Sequence, residues 1–302
     1  MATDGLNLDE YDATMLPILA GQMVRVMRAF GFAGVHVVII GGLVPSLLVP
    51  DPDSGLEPHV GTHDLDLCLS VALIEGEVGE YDRMENSLRA VGFAMVRRDD
   101  GTTESWRWRD RLGVTIEFFC PSGKQGRQPG RLFRPGGVVG GKLSALVLAT
   151  GHLIDRDARD IELEVELPDN GGRTRQVLRV VGPAAYLASK VDALRGRDKN
   201  KDAYDIVWIL ECWPGGQPAI ARTIVASAVF DELGPTLTAL REEFATIDSA
   251  GAVKYGRFMA RDTAAVDLAS QRAVGAIAAF LGAMDDLFSL AGRGPPGGVS
   301  GR

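Results

Sequence analysis

The sequence predicts an α+β protein in which strands and helices share residues 1–181 and helices alone follow, and three observations carry that reading. Val37-Val38-Ile39-Ile40 is a short β-branched run without a polar residue, the pattern of a strand buried on both faces. Thr62-His63-Asp64-Leu65-Asp66-Leu67 alternates, as a strand with one core face and one open face does. From Pro183 onward the apolar residues Ala184, Leu187, Ala188, Val191 and Leu194 trace one face of a helix. The expected organisation is a sheet domain over 1–181, a helical domain over 182–291 and a disordered Gly/Pro/Ser tail over 292–302.

In chain order, Leu8 to Phe30 has the spacing of an amphipathic helix, with Leu16, Ile18, Leu19, Met23, Val26, Met27 and Phe30 on its apolar side. Gly31 to Gly34 turns the chain into the first strand, which breaks at Gly41-Gly42, and Leu43 to Val49 forms a brief helix. Residues 49–58 are dense in turn formers and read as a loop. After the Asp-x-Asp strand, Gly79 to Val91 is a helix, with Tyr81, Met84, Leu88 and Val91 on one side and Gly92 as its C-cap. Phe93–Arg97, Glu104–Trp108 and Val114–Phe119 read as strands, and Pro121 to Gly141 as an exposed, mobile connection. Asp160–Leu167 and Arg173–Val181 form a hairpin around the Asn170-Gly171 step. Helices follow over Pro183–Gly196, from Lys199 through Leu210, over Pro218–Phe244 and over Arg261–Leu290.

Bulk properties narrow the function. The 302 residues, 46% hydrophobic, suffice for a sizeable core. No apolar run reads as a bilayer span and no secretory leader is recognisable, so the expected compartment is the cytoplasm without a membrane partner. Cys68, Cys120 and Cys212 have neither metal-ligand spacing nor an even count, and are expected to be buried thiols. The net charge of −8 excludes a protein that grips nucleic acid over its whole surface. Residues 97–142, however, hold ten Lys or Arg against five Asp or Glu, a local +5 that leaves −13 elsewhere. That distribution fits an anionic substrate met locally, such as an RNA end; a solvated arginine-rich loop is the alternative.

The chemistry concentrates between His36 and Leu69. Gly41 and Gly42, lacking Cβ atoms, let backbone amides approach a phosphate. Asp64 and Asp66, with Thr62, share one side of their strand, and two adjacent carboxylates with an incoming triphosphate suit Mg²⁺. Glu117 projects opposite Ile116 and Phe118 and is a candidate third carboxylate, either to deprotonate an attacking hydroxyl or to pair with an arginine of the neighbouring strand. Further on, Asp202 and Asp205 lie on one helix face, and Lys190, Arg195, Arg197, Lys199 and Lys201 offer cations either to phosphates or to surface salt bridges.

Gly41-Gly42, Thr62-x-Asp64-x-Asp66, Lys190-x-x-Ala193-Leu194-Arg195 and Lys201-Asp202-x-x-Asp205, in that order, give Val35 to Leu210 a pattern that resembles the AbiEii-type nucleotidyltransferase toxins of the DNA polymerase β-like superfamily. The resemblance implies a polymerase-β-like mixed sheet flanked by helices, with Asp64 and Asp66 as Mg²⁺ ligands. It implies Lys190 on the triphosphate with Gly41, Gly42, Thr62 and Lys201 nearby, and Asp202 or Asp205 as site residues. It further implies transfer of a nucleotide from an NTP to an acceptor, the tRNA 3′ end in several relatives, and restraint by a cognate antitoxin. Two departures stand out: Val60 occupies a position where many relatives carry arginine, and the glycine pair lies farther from Asp64 than is usual. Thr62, beside the carboxylates, is a candidate regulatory phosphosite. Transfer to a protein or small-molecule hydroxyl, and a non-catalytic interaction protein, are the competing expectations.

Overall fold

The computed structural model describes residues 7–52, 56–70, 73, 79–123, 127–134 and 143–290. The tail 292–302, part of the proline-rich loop, the Tyr81 side chain, and Lys124 and Lys142 of the basic segment lie outside the described residues. The chain forms two compact units: one of Asp12–Leu47 with Gly61–Gly182, the other of Met1–Tyr11, Leu48–Val60 and Pro183–Arg302.

The first unit is built on a mixed sheet whose strands are β1 (Val37–Ile40), β2 (Asp64–Leu69), β3 (Ala94–Arg97), β4 (Thr103–Arg109), β5 (Thr115–Pro121), β6 (Leu132–Phe133), β7 (Ala145–Leu148), β8 (Arg159–Glu166) and β9 (Arg173–Val180). They are ordered β3-β4-β5-β2-β1-β9-β8, and β7 joins β5 beyond the end of the β4 pairing, with β6 outside it. The central pairs are β1 with β2, antiparallel, and β2 with β5, parallel. All four residues of β1 are buried, as its composition requires of a central strand. The alternation in β2 is realised: Leu65 and Leu67 are buried while Asp64 and Asp66 keep partial exposure.

Helix α1 (Leu16–Phe30) packs on β8, where Gly21 admits the Glu166 carbonyl so closely that a Cβ would collide with it. The α-helix does not begin at Leu8 as the periodicity predicts. Residues Leu8–Glu10 and Ala13–Met15 are 3₁₀ turns, because the Asp12 carboxylate accepts from the Thr14 amide and hydroxyl and sets a turn, and Pro17 suits the first helical turn. Helices α2 (Val44–Leu48), α3 (Gly79–Ala90) and α4 (Gly151–Ile154) accompany this sheet. The predicted hairpin is β8 and β9 in eight-residue register, its turn held by Asp169 and Asn170 at φ 58° and 57°. The connection after β5 is corrected in part: β5 continues through Pro121, Leu132–Phe133 pairs with β7, and Arg127 is buried beside the Phe133 ring. All three cysteines are buried and free.

The second unit contains α5 (Pro183–Gly196), α6 (Lys201–Cys212), α7 (Gly216–Val225), α8 (Gly234–Glu243), α9 (Ala250–Met259) and α10 (Thr263–Leu290). The single helix expected over 218–244 is two, separated by Ala226–Leu233, where a 3₁₀ turn intervenes and Pro235 restarts the helix. Helix α9 escapes the sequence reading because Gly251 and Gly256 depress its propensity; they are required where Phe244 and the Glu243 carbonyl, and Ser270 and the Val266 carbonyl, come against the helix. Helix α10 corrects a further expectation, since it is long and apolar enough to match a membrane span. Its apolar stripe of Ile277, Phe280, Met284 and Phe288 is buried, and the helix packs on α9, α7 and α6.

Candidate functional site

The carboxylate face of the sheet unit is set by register. Asp66 stands opposite Glu117 in the parallel β2–β5 pair, Asp64 opposite Thr115, and Glu117 opposite Arg107 in the antiparallel β4–β5 pair. Directly opposed residues share a face, so Asp66, Glu117 and Arg107 form one row across three strands. Beyond Asp66 the row meets the end of β1, where Gly41 (φ +75°) lies so close that a Cβ built on it would fall within the Asp66 carboxylate. The glycine pair opens a 3₁₀ turn, Gly41–Leu43, that runs into α2.

Glu117 has an arginine of the neighbouring strand beside it. Arg107 Nε stands 2.8 Å from Glu117 Oε1, a close ion pair without the alignment of a hydrogen bond, while Arg107 Nη1 donates to Glu104 Oε2 at 3.2 Å. Burial alone would lower the guanidinium pKa; Glu117, Glu104 and Asp64 outweigh it and raise it. Thr62 precedes the strand, which begins at Asp64, and its Oγ1 accepts from the Asp64 amide at 3.3 Å. The shared strand side expected of Thr62 is therefore replaced by a turn at the strand's mouth.

Does this face suit Mg²⁺? Among the described residues no cluster of three or more His, Cys, Asp or Glu side chains forms a metal cage by itself. Magnesium seldom takes one: it binds through one or two carboxylates and leaves its remaining positions to water and substrate phosphates. Asp64 and Asp66, two carboxylates on one face of β2 with Asp66 seated where a Cβ at position 41 would otherwise stand, supply that donor set.

Lys190, Lys201, Asp202 and Asp205 belong to the helical unit, where they meet in a buried network. Lys190 Nζ lies 3.1 Å from Asp202 Oδ1 and 2.6 Å from Asp205 Oδ2; Lys201 Nζ reaches Asp205 Oδ1 at 2.6 Å. Arg197 pairs with Asp202 at 2.8 Å from the exposed side. The network includes a residue the sequence did not single out. His59 Nε2 is 2.9 Å from Asp205 Oδ1, with its ring against Tyr204 and Trp208, and neighbouring bonds run from the Trp208 indole to the Glu57 carbonyl and from the Val60 amide to the Tyr204 hydroxyl. A lone histidine in a proline-rich loop gives no signal of burial; only the aromatic residues of α6 hint at a partner.

Burial alone would raise Asp205, but Lys190, Lys201 and His59 hold it well below the ordinary carboxylate range. His59 is pushed down to about 4, first by burial and then by Lys201, against the pull of Asp205. The imidazole is thus neutral in the folded protein near neutrality, and the unfolded chain binds the additional proton between pH 6.5 and 4. Stability should fall on acidification through that window, and further below pH 3.8 as Asp205 and Asp202, both depressed, are protonated. Thermal unfolding against pH measures this. The limb between 6.5 and 4 should flatten in His59→Gln, and an unchanged limb would show that another group titrates there.

No protein-family model and no curated protein matches the chain. Among solved structures it is similar to JHP933 from Helicobacter pylori (11% identity, TM-score 0.42, covering 93% of this chain and 98% of that one). It is also similar to an antigenic nucleotidyltransferase-like protein from Paracoccidioides brasiliensis (16% identity, TM-score 0.33, covering 76% and 94%). Similarity at this level assigns no chemistry, which rests on the residues of this chain.

Proposed function

We propose that the protein is a Mg²⁺-dependent nucleotidyltransferase that moves a nucleoside monophosphate from an NTP to an acceptor hydroxyl and releases pyrophosphate. The observation that carries this reading is the row in which Asp66 is flanked by Gly41 on one side and Glu117 on the other, with Asp64 one step along the same strand face. Asp64 and Asp66 would hold the ion, whose chemistry is to neutralise charge on the triphosphate. Gly41 and Gly42 bring backbone close to the phosphates, and Lys190 and Lys201 take the phosphate role that the resemblance implies. The acceptor oxygen attacks the α-phosphorus in line, the bond to the bridging oxygen breaks, and pyrophosphate leaves. Of the two carboxylates named for the hydroxyl proton, Glu117 stands in the row with Asp66 and is 16% exposed, while Asp205 is fully buried between Lys190 and Lys201 of the helical unit; Glu117 is therefore the proposed acceptor.

The excess of positive charge over residues 97–142 supports an RNA acceptor, with the tRNA 3′ end, which the resemblance implies, as the first candidate. On that reading the protein is the toxin of a toxin–antitoxin pair, acting in the cytoplasm. Incubation with total RNA, Mg²⁺ and each α-labelled NTP in turn, beside Asp66→Ala and an EDTA control, tests this. Label on a tRNA-sized band that disappears in both controls is the expected result. Label on protein or a small acceptor would replace the RNA assignment, and no transfer to any acceptor would overturn the enzymatic one. Phosphorylation at Thr62 would place a dianion at the mouth of the carboxylate strand and compete for cations. Thr62→Glu is therefore expected to lose most transfer activity, and full activity would refute the regulatory role.

A further inference from the structure

The aromatic side chains of β4 and β5 divide into two sets. Trp108 and Phe118 are fully buried in the core, while Trp106 and Phe119 retain partial exposure. Phe119 follows Glu117 by two residues and so shares its face. The Trp106 and Phe119 rings meet edge to face with centroids 6.0 Å apart, and the Arg107 guanidinium, already in the row with Glu117 and Asp66, stands over the Trp106 ring at 5.4 Å. Two partly exposed rings and a guanidinium at the end of a carboxylate row have a specific use. Flat π surfaces and Arg planes stack nucleobases without regard to sequence, and a cation beside them meets the adjoining phosphate.

We infer that Trp106, Phe119 and Arg107 form a nucleobase-stacking subsite beside the carboxylate face. The assignment deepens the nucleotidyl-transfer reading and rests on it for its biological sense, although the binding it predicts is measurable without transfer. The recognised chemistry is a base joined to a phosphate. Two sources provide it, the incoming NTP and the terminal nucleotide of a single-stranded acceptor.

The test pairs each probe with a counterpart lacking the base. A fluorescent single-stranded oligoribonucleotide is compared in EDTA, by anisotropy, with the same oligomer ending in an abasic residue; Mg-NTP is compared by calorimetry with Mg-tripolyphosphate. In the wild type the base should strengthen binding about 10-fold for the source that occupies the subsite. Trp106→Leu should abolish that difference, leaving the base-bearing and base-less probes equal, and Trp106→Tyr, which keeps a stacking ring, should restore most of it. Arg107→Met should weaken both members of a pair, since it removes the phosphate contact. Circular dichroism of each variant verifies the fold, and Phe119→Leu provides a second loss variant should Trp106→Leu unfold.

A base-dependent gain with the oligonucleotide assigns the subsite to the acceptor, and one with the NTP assigns it to the donor. A gain that survives in both Trp106→Leu and Phe119→Leu, or no gain with either probe, overturns the inference. Base-dependent binding without any nucleotide transfer would sink the proposed activity and leave the subsite standing.

Discussion

On the proposed reaction, Gly41→Ala is expected to reduce nucleotidyl transfer by about 10²-fold or more, because displacing the carboxylate proposed to hold the ion by about an ångström would cost that much. Two separate demands fall on this residue. Its φ of +75° lies where a Cβ is strained by about 1–2 kcal/mol, and that Cβ would also occupy the space of the Asp66 carboxylate. The strain alone would lower stability without singling out the site; the overlap adds displacement of Asp66. Single-turnover transfer rates measured beside thermal unfolding separate these effects. A variant that is destabilised yet transfers at the full rate would show that Asp66 does not need its present position.

The second large effect is expected in the helical unit. Asp205→Ala leaves Lys201 and Lys190 buried without the carboxylate they share, and breaking such a network typically costs about 3–5 kcal/mol. Urea unfolding of the full chain should register the loss. Lys190→Met extends the measurement, since the lysine has been given a phosphate role while its ammonium is already held by two carboxylates. A Lys190→Met protein of normal stability that no longer binds Mg-NTP would make the phosphate contact its main task. One that is strongly destabilised, with NTP affinity intact under native conditions, would make it a structural ion.

The sequence was informative where a local pattern and the tertiary environment agree. The four β-branched residues of β1, the Asp/Leu alternation of β2 and the turn residues between β8 and β9 each specify an element without help from distant parts of the chain. Position along the sheet was less legible. Nothing in Arg107 or Glu117 alone tells that they are opposed, because register depends on strands separated in sequence. The short strand β7, Ala-Leu-Val-Leu, lacks a period that distinguishes strand from helix and follows a stretch rich in glycine and proline, so its sequence does not mark it as a strand. His59 was invisible for a different reason: its burial is produced by Tyr204, Asp205 and Trp208, about 146 residues away, and no local window contains them.

That separation bears on how the protein is made. Residues 48–60 leave the ribosome long before α6, yet Asp205, Tyr204 and Trp208 are their partners. Until α6 is synthesised, Glu57, His59 and Val60 lack those bonds, so the helical unit cannot complete its folding during early elongation. A fragment ending at Gly182 would carry this segment as an orphan, and one beginning at Pro183 would present Trp208 and Asp205 without the segment that docks on them. Neither piece is a self-sufficient product of cutting the gene once, and a viable half of this protein would have to be made by rejoining the chain in a new order.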